Sequence, residues 1–142
     1  MKNKIYLIAL ITTLVTVSSC KKEDNSNPDN GNNSSIAGII TAGSWRVSSF
    51  HESGNDRTAN FNGYVFTFSS SGTVTAVNSA GTTVGTWRID DSNVNEFHIS
   101  IGSTAPLSDL DRGWLITSQS TNEIQMTDDD SSHDRELHFT KI

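Results

Sequence analysis

Cysteine occurs once in this chain of 142 residues, at position 20, and proline only twice. A lone thiol excludes an intrachain disulfide, so packing and hydrogen bonds must hold whatever folds. Basic residues are also scarce. Ten Lys and Arg stand against sixteen Asp and Glu, for a net charge of −6. That balance gives no electrostatic reason to bind nucleic acid, and an anionic membrane surface would repel it. No apolar run reaches the roughly 20 residues that a membrane-spanning helix needs. The H-E-x-x-H, C-x-x-C, G-x-S-x-G and P-loop patterns are missing, so no enzyme class and no cofactor is indicated. What is present is a polar, globular mixture, 34% hydrophobic and 18% charged, with ten glycines and many Ser, Thr and Asn. Such a mixture favours short strands and turns over helices.

The one cysteine has an address. Met1-Lys2-Asn3-Lys4 is a short basic start, and Ile5 to Val17 is an uncharged run of signal-peptide length. Val17-Ser18-Ser19-Cys20 then resembles the bacterial lipobox, with an aliphatic and two small residues ahead of a cysteine. The resemblance implies a lipoprotein signal peptide over 1–19, cleavage before Cys20, and lipid on Cys20 as the link to the membrane. Several acyl chains make such an anchor stable where one would be marginal. Lys21-Lys22-Glu23-Asp24 looks like the charged signal that some Gram-negative groups use to send lipoproteins outward on the outer membrane. Glu23 to Ser35 contains no apolar residue and is expected to be disordered. With Cys20 it makes a tether over 20–35 that reaches roughly 50 Å at about 3.3 Å per residue.

Beyond the tether, Ile36, Ile39 and Ile40 share one helical face, with Ser35 placed to cap and Gly43 to terminate. The period then changes to two. Trp45-Arg46-Val47, Phe66-Thr67-Phe68, Val74-Thr75-Ala76, Trp87-Arg88-Ile89, Phe97 to Ile101, Trp114-Leu115-Ile116, Ile124-Gln125-Met126 and Leu137-His138-Phe139 each alternate apolar with an intervening residue. Each unit buries one face and wets the other. The gaps are too short for crossover helices, so neighbours are antiparallel, with hairpins at Ser69–Gly72 and Asn78–Gly81. Eight such strands with one apolar face do best by closing on themselves. The expected fold is all-β: an eight-stranded antiparallel up-and-down β-barrel over 36–142, led by a short helical turn.

Five motifs in order carry a family resemblance: Gly43-Ser44-Trp45-Arg46-Val47, Phe66-Thr67-Phe68 with Ser71-Gly72, Gly85-Thr86-Trp87-Arg88-Ile89, Trp114-Leu115-Ile116 and Leu137-His138-Phe139-Thr140-Lys141. Together they resemble the short lipocalin-like domain of bacterial lipoproteins. One departure stands out. Lipocalins usually place an arginine after the last strand over the first tryptophan, and here the sequence offers Lys141-Ile142; either Lys141 substitutes or the closed end is built differently. The resemblance implies a small apolar or amphipathic ligand held at the barrel mouth, with Phe68, Trp87, Phe97, Trp114 and Met126 as candidate contacts. Inward aromatics are also core residues by default, and an eight-stranded barrel can be filled by its own side chains.

The longer connections, 52–62, 102–111 and 127–133, fall at one end, together with the short 78–81 turn. That rim carries Glu52, Asp56, Asp109, Asp111, Asp128, Asp129, Asp130 and Asp134 against Arg57, Arg112 and Arg135. An acidic rim of this kind suits a cation, a basic ligand or a basic patch of a partner protein, with Asp56, Asp109, Asp111, Asp128, Asp129 and Asp130 as candidates; a solvated surface is the plainer reading. No metal ligand set is assigned: Asp128-Asp129-Asp130 lacks EF-hand spacing, His98 and His138 lie outward on distant strands, and His51 with His133 makes only two ligands. Two functions follow. One is a lipid-anchored cell-envelope lipoprotein of a Gram-negative bacterium that binds a small hydrophobic ligand. The other is a protein-interaction module, an inhibitor or accessory subunit, that works through acidic loops on a filled barrel.

Overall fold

The computed structural model describes residues 31–90 and 95–142. The leader, Cys20 and the tether up to residue 30 lie outside the described residues, as does most of the Asp90–Asn93 turn. Among the described residues, one α-helix, α1 (Gly31–Ile40), precedes nine strands: β1 (Ser44–Glu52), β2 (Asn55–Asp56), β3 (Val65–Phe68), β4 (Thr73–Asn78), β5 (Gly81–Asp90), β6 (Glu96–Ser100), β7 (Arg112–Gln119), β8 (Glu123–Asp128) and β9 (Arg135–Lys141). Every alternating unit read from the sequence falls in its own strand, with Ile101 just past the end of β6. The helix opens five residues before Ile36, so Ser35 lies inside it and not at its cap. Ile36 and Ile40 are buried from its one apolar face.

The strands pair in chain order, all antiparallel, and β1 closes the ring onto β9. The result is a closed eight-stranded barrel; β2 is a two-residue addition that pairs with the end of β1. Closure is uneven. β1 meets β9 along seven paired positions, Trp45↔Lys141 to Glu52↔Arg135, but meets β3 only at Ser44↔Thr67 and Trp45↔Phe66. Beyond that short seam the chain departs into a 3₁₀ turn (Thr58–Phe61), leaving a cleft of about 240 Å³ beside Arg46, Tyr64 and Ile142.

Gly85 permits the tight wall. A Cβ there would run into the Ser100 carbonyl and come within 2.7 Å of Ile101 Cα, so β5 and β6 approach too closely for any side chain. Inside, the rings interlock edge to face. Phe68 lies 5.9, 5.7 and 5.6 Å from Trp87, Phe97 and Phe139, and Phe66 lies 5.3 Å from Phe139. Such offset geometry is favourable beyond simple area burial.

The three indoles share a role that the sequence did not reveal. Each is buried with its N–H donated to a carbonyl of a non-strand segment: Trp45 to Ile40 at 2.7 Å, Trp87 to Ser69 at 2.9 Å, Trp114 to Leu110 at 3.1 Å. They bind the helix, the β3–β4 hairpin and a second 3₁₀ turn (Leu107–Leu110) onto the barrel. At the helix end, Lys141 Nζ sits 5.6 Å from the Trp45 ring centroid, so lysine occupies the place where the family resemblance led us to expect arginine.

Candidate functional site

Three regions are candidates: the mouth, the charged rim and the outer wall. The mouth is the end with the long connections, and two of these turn inward. Phe61, from the first 3₁₀ turn, packs 5.2 Å from Phe50, which in turn lies 6.3 Å from Trp114. Leu107 and Leu110, from the second, are buried in the same core. All four candidate aromatics (Phe68, Trp87, Phe97, Trp114) and Met126 are buried members of that cluster, so the structure brings them together as core. Reading 52–62 and 102–111 as open loops missed Phe61, Leu107 and Leu110. The signal there is faint: Phe61 stands alone, and Leu107 and Leu110 make a single i, i+3 pair within a polar loop.

The rim is partly neutralised. Arg135 donates from Nε to Glu52 Oε1 at 2.7 Å and from Nη1 to Asp128 Oδ2 at 2.9 Å. Arg112 Nη1 meets the same Asp128 oxygen at 2.9 Å, and Arg57 Nη1 meets Glu52 Oε2 at 2.9 Å. Asp128, expected on the open rim, is instead buried, its side chain 3% exposed. It faces inward because it pairs with Trp114 across β7–β8. Burial pushes its carboxyl up, but the Asp130 amide and the Arg135 and Arg112 guanidinium groups pull harder and hold it below the usual range. The Arg135 hydrogen bond does the same for Glu52. Burial by itself would lower Arg135, yet Asp128 and Glu52 raise it.

All three rim arginines are thus taken up by two carboxylates. Asp56, Asp109, Asp111, Asp129, Asp130 and Asp134 stay outside that network. Asp56 accepts from the Thr58 amide at 2.9 Å, and Asp130 from the Ser132 amide at 2.9 Å. In each case that neighbouring hydroxyl and amide lower the carboxyl. Asp111 Oδ1 accepts from the Ile101 amide. Asp109 is half-buried and offers its carbonyl to Arg112 Nε at 3.2 Å. His133 lies 3.1 Å from Asp130, and His51 3.1 Å from Ser49.

The outer wall of β5–β7 holds a constellation that sequence reasoning did not assemble. Arg88 pairs with His98 and Asp90 with Glu96 across β5–β6, and His98 faces Gly113 across β6–β7. Ligand atoms of Asp90, Glu96 and His98 all lie within 4.8 Å of one another. His98 Nε2 is 2.9 Å from Glu96 Oε1, whose side chain is 9% exposed. The ring N–H direction misses that oxygen, so Nε2 is shielded from solvent without a hydrogen bond. Gly113 is what lets the carboxylates converge: a Cβ there would sit 2.5 Å from both Glu96 Oε1 and Asp129 Oδ2. Burial, then the facing Glu96 and Asp128, push the Asp129 carboxyl up. Beside the group lies a cleft of about 420 Å³, lined by Thr86, Arg88, His98, Ser100, Arg112 and Gly113 among others. Glu96 and His98 at i and i+2 of one strand signalled a shared face; the contributions of Asp90 and Asp129 depend on pairing with other strands.

No family model matches the chain, and no curated protein does either. Among solved structures it is similar to a DUF4847 family protein from Bacteroides vulgatus ATCC 8482, at 19% identity and a TM-score of 0.56. The match covers 74% of this chain and 96% of that one. At that identity the likeness supports the small β-barrel fold and carries no function across.

Proposed function

We propose that this protein is a lipid-anchored cell-envelope lipoprotein whose barrel is a solid scaffold for recognising a protein partner at its loop end. The observation that carries the reading is the mouth. Phe61, Leu107 and Leu110 cover an interior already occupied by interlocked rings, which leaves the space that a small hydrophobic ligand would need taken by side chains. The six aspartates outside the arginine network give the same end a negative surface suited to a basic patch. The lipobox-like segment ending in Cys20 and the charged Lys21-Lys22-Glu23-Asp24 that follows support anchoring to the outer membrane, with display on its outside.

Native mass spectrometry of the detergent-solubilised protein from its own host tests the choice. A mass adduct removed by unfolding and matching a small apolar molecule would overturn the scaffold reading. A salt-sensitive complex with a protein, weakened at least fivefold by Asp56→Asn with Asp130→Asn and Asp134→Asn, is the expected outcome. Anchoring is tested separately: Cys20→Ser should move the protein from the detergent phase to the aqueous phase, and an unchanged partition would refute lipidation.

A further inference from the structure

We propose that Asp90, Glu96 and His98, with Asp129 completing the set, form a binding site for a divalent transition-metal ion, zinc being the best match, on the outer wall of the barrel. Three observations converge on it. The first is geometry. The Asp90, Glu96 and His98 ligand atoms already lie within 4.8 Å of one another, and zinc bonds of about 2.0–2.2 Å place neighbouring ligands about 3.4 Å apart. Closing the set needs shifts of about 1 Å, within the reach of side-chain rotation at the half-buried Asp90 and His98.

The second is the imidazole. His98 Nε2 is shielded from water and makes no hydrogen bond, although Glu96 Oε1 is 2.9 Å away. A buried ring nitrogen left so is costly. An ion seated between the ring and the carboxylates would engage both, where the Nε2–Glu96 contact is close but not aligned as a hydrogen bond.

The third is charge. Asp90 and Glu96 bring two carboxylates to one imidazole, and Asp129 meets Glu96 over Gly113. Arg88, 2.9 Å from Asp90 Oδ2, is the arginine paired within the group. Arg112, at the edge of the adjoining cleft, is engaged with Asp128 and the Asp109 carbonyl. Gly113 allows Glu96 and Asp129 to converge over bare backbone, an arrangement that a shared proton or a cation between them relieves. One imidazole nitrogen among carboxylate oxygens favours a transition metal over calcium, which takes oxygen ligands. The site is on the wall, beside the proposed recognition end, and Asp129 is the residue that the two share.

The test is titration of the full-length chain in detergent, stripped with EDTA and dialysed, with zinc chloride and in parallel with calcium chloride, followed by calorimetry. One zinc per chain with micromolar or tighter affinity is expected, and calcium at least tenfold weaker. His98→Gln and Asp90→Asn should each weaken zinc at least tenfold, since even groups that only orient ligands are worth about 10–100-fold. Replacing both His51 and His133 with Gln should leave binding unchanged. Cobalt(II) in place of zinc should give visible absorption bands that His98→Gln abolishes. No stoichiometric zinc on the unmodified chain overturns the site. So does calcium binding as tightly as zinc, or zinc binding that survives His98→Gln and is lost with His51 and His133.

Discussion

If the barrel is filled and not hollow, truncating a ring at its waist must cost far more than truncating one in the lid. Phe68 is the waist residue: it is buried and touches Trp87, Phe97 and Phe139, which sit on three different strands. Phe→Ala in a core costs about 3–5 kcal/mol, and each ring pair adds about 0.5–1.5 kcal/mol beyond its area. With three pairs and regular strands that do not collapse into the void, Phe68→Ala belongs near about 5 kcal/mol. Phe61 is equally buried but stands on a four-residue 3₁₀ turn in a long connection, 5.2 Å from Phe50. There the chain can settle, so Phe61→Ala belongs near about 3 kcal/mol. Urea unfolding followed by the fluorescence of the three buried tryptophans measures both. With a slope of about 2 kcal/mol per molar, the midpoints should fall by about 2.5 M and about 1.5 M. Phe68→Leu, which keeps most of the volume, should lose about 1.5 kcal/mol and remains measurable if the alanine variant is unfolded. A Phe68→Ala cost below about 2 kcal/mol, or one smaller than that of Phe61→Ala, would refute the filled interior.

Other outcomes follow from the same coordinates. Gly85→Ala drives a methyl into the Ser100 carbonyl and the Ile101 backbone; it should lower the melting temperature by more than about 10 °C, read by circular dichroism. Asp128→Asn removes the negative charge that Arg112 and Arg135 share; a loss of about 3 kcal/mol in urea unfolding is expected, near the lower end for broken buried pairs. The same network sets the acid limit. Asp128 and Glu52 have carboxyls lowered in the folded state, so their contribution is complete above the unfolded values near 3.8 and 4.5 and fades as pH falls through the lower folded ones. Stability measured from pH 6 downward should therefore begin to drop near pH 4.5, and Asp128→Asn should flatten that drop. Lys141→Ala removes the cation over Trp45 and should cost about 0.5–1 kcal/mol with little change in slope.

The eight barrel strands were legible because each turns apolar residues of one face to the core, and a period of two survives in units as short as Phe66-Thr67-Phe68 or Leu137-His138-Phe139; β2, exposed at both residues, carried no such signal. Closure was legible for the same reason: a single apolar face leaves few other ways to hide. The lids were not, because Phe61, Leu107 and Leu110 sit in 3₁₀ turns too short to show a period against polar neighbours. The fate of Asp128 was hidden too. Its inward direction is fixed by register with Trp114, and register across β7–β8 includes a shift between Ile116 and Ser118. The wall cluster required three strands and the start of the β8–β9 connection to be placed side by side before its members met.

The first strand finds its principal partner in the last, Trp45 beside Lys141 and Glu52 beside Arg135. No amino-terminal portion of the chain can therefore complete the ring, and closing a loop of that span carries the entropy of nearly the whole domain. A polypeptide built this way stays threadable until its final residues are available. For the exported lipoprotein proposed above, late closure would keep the passage open.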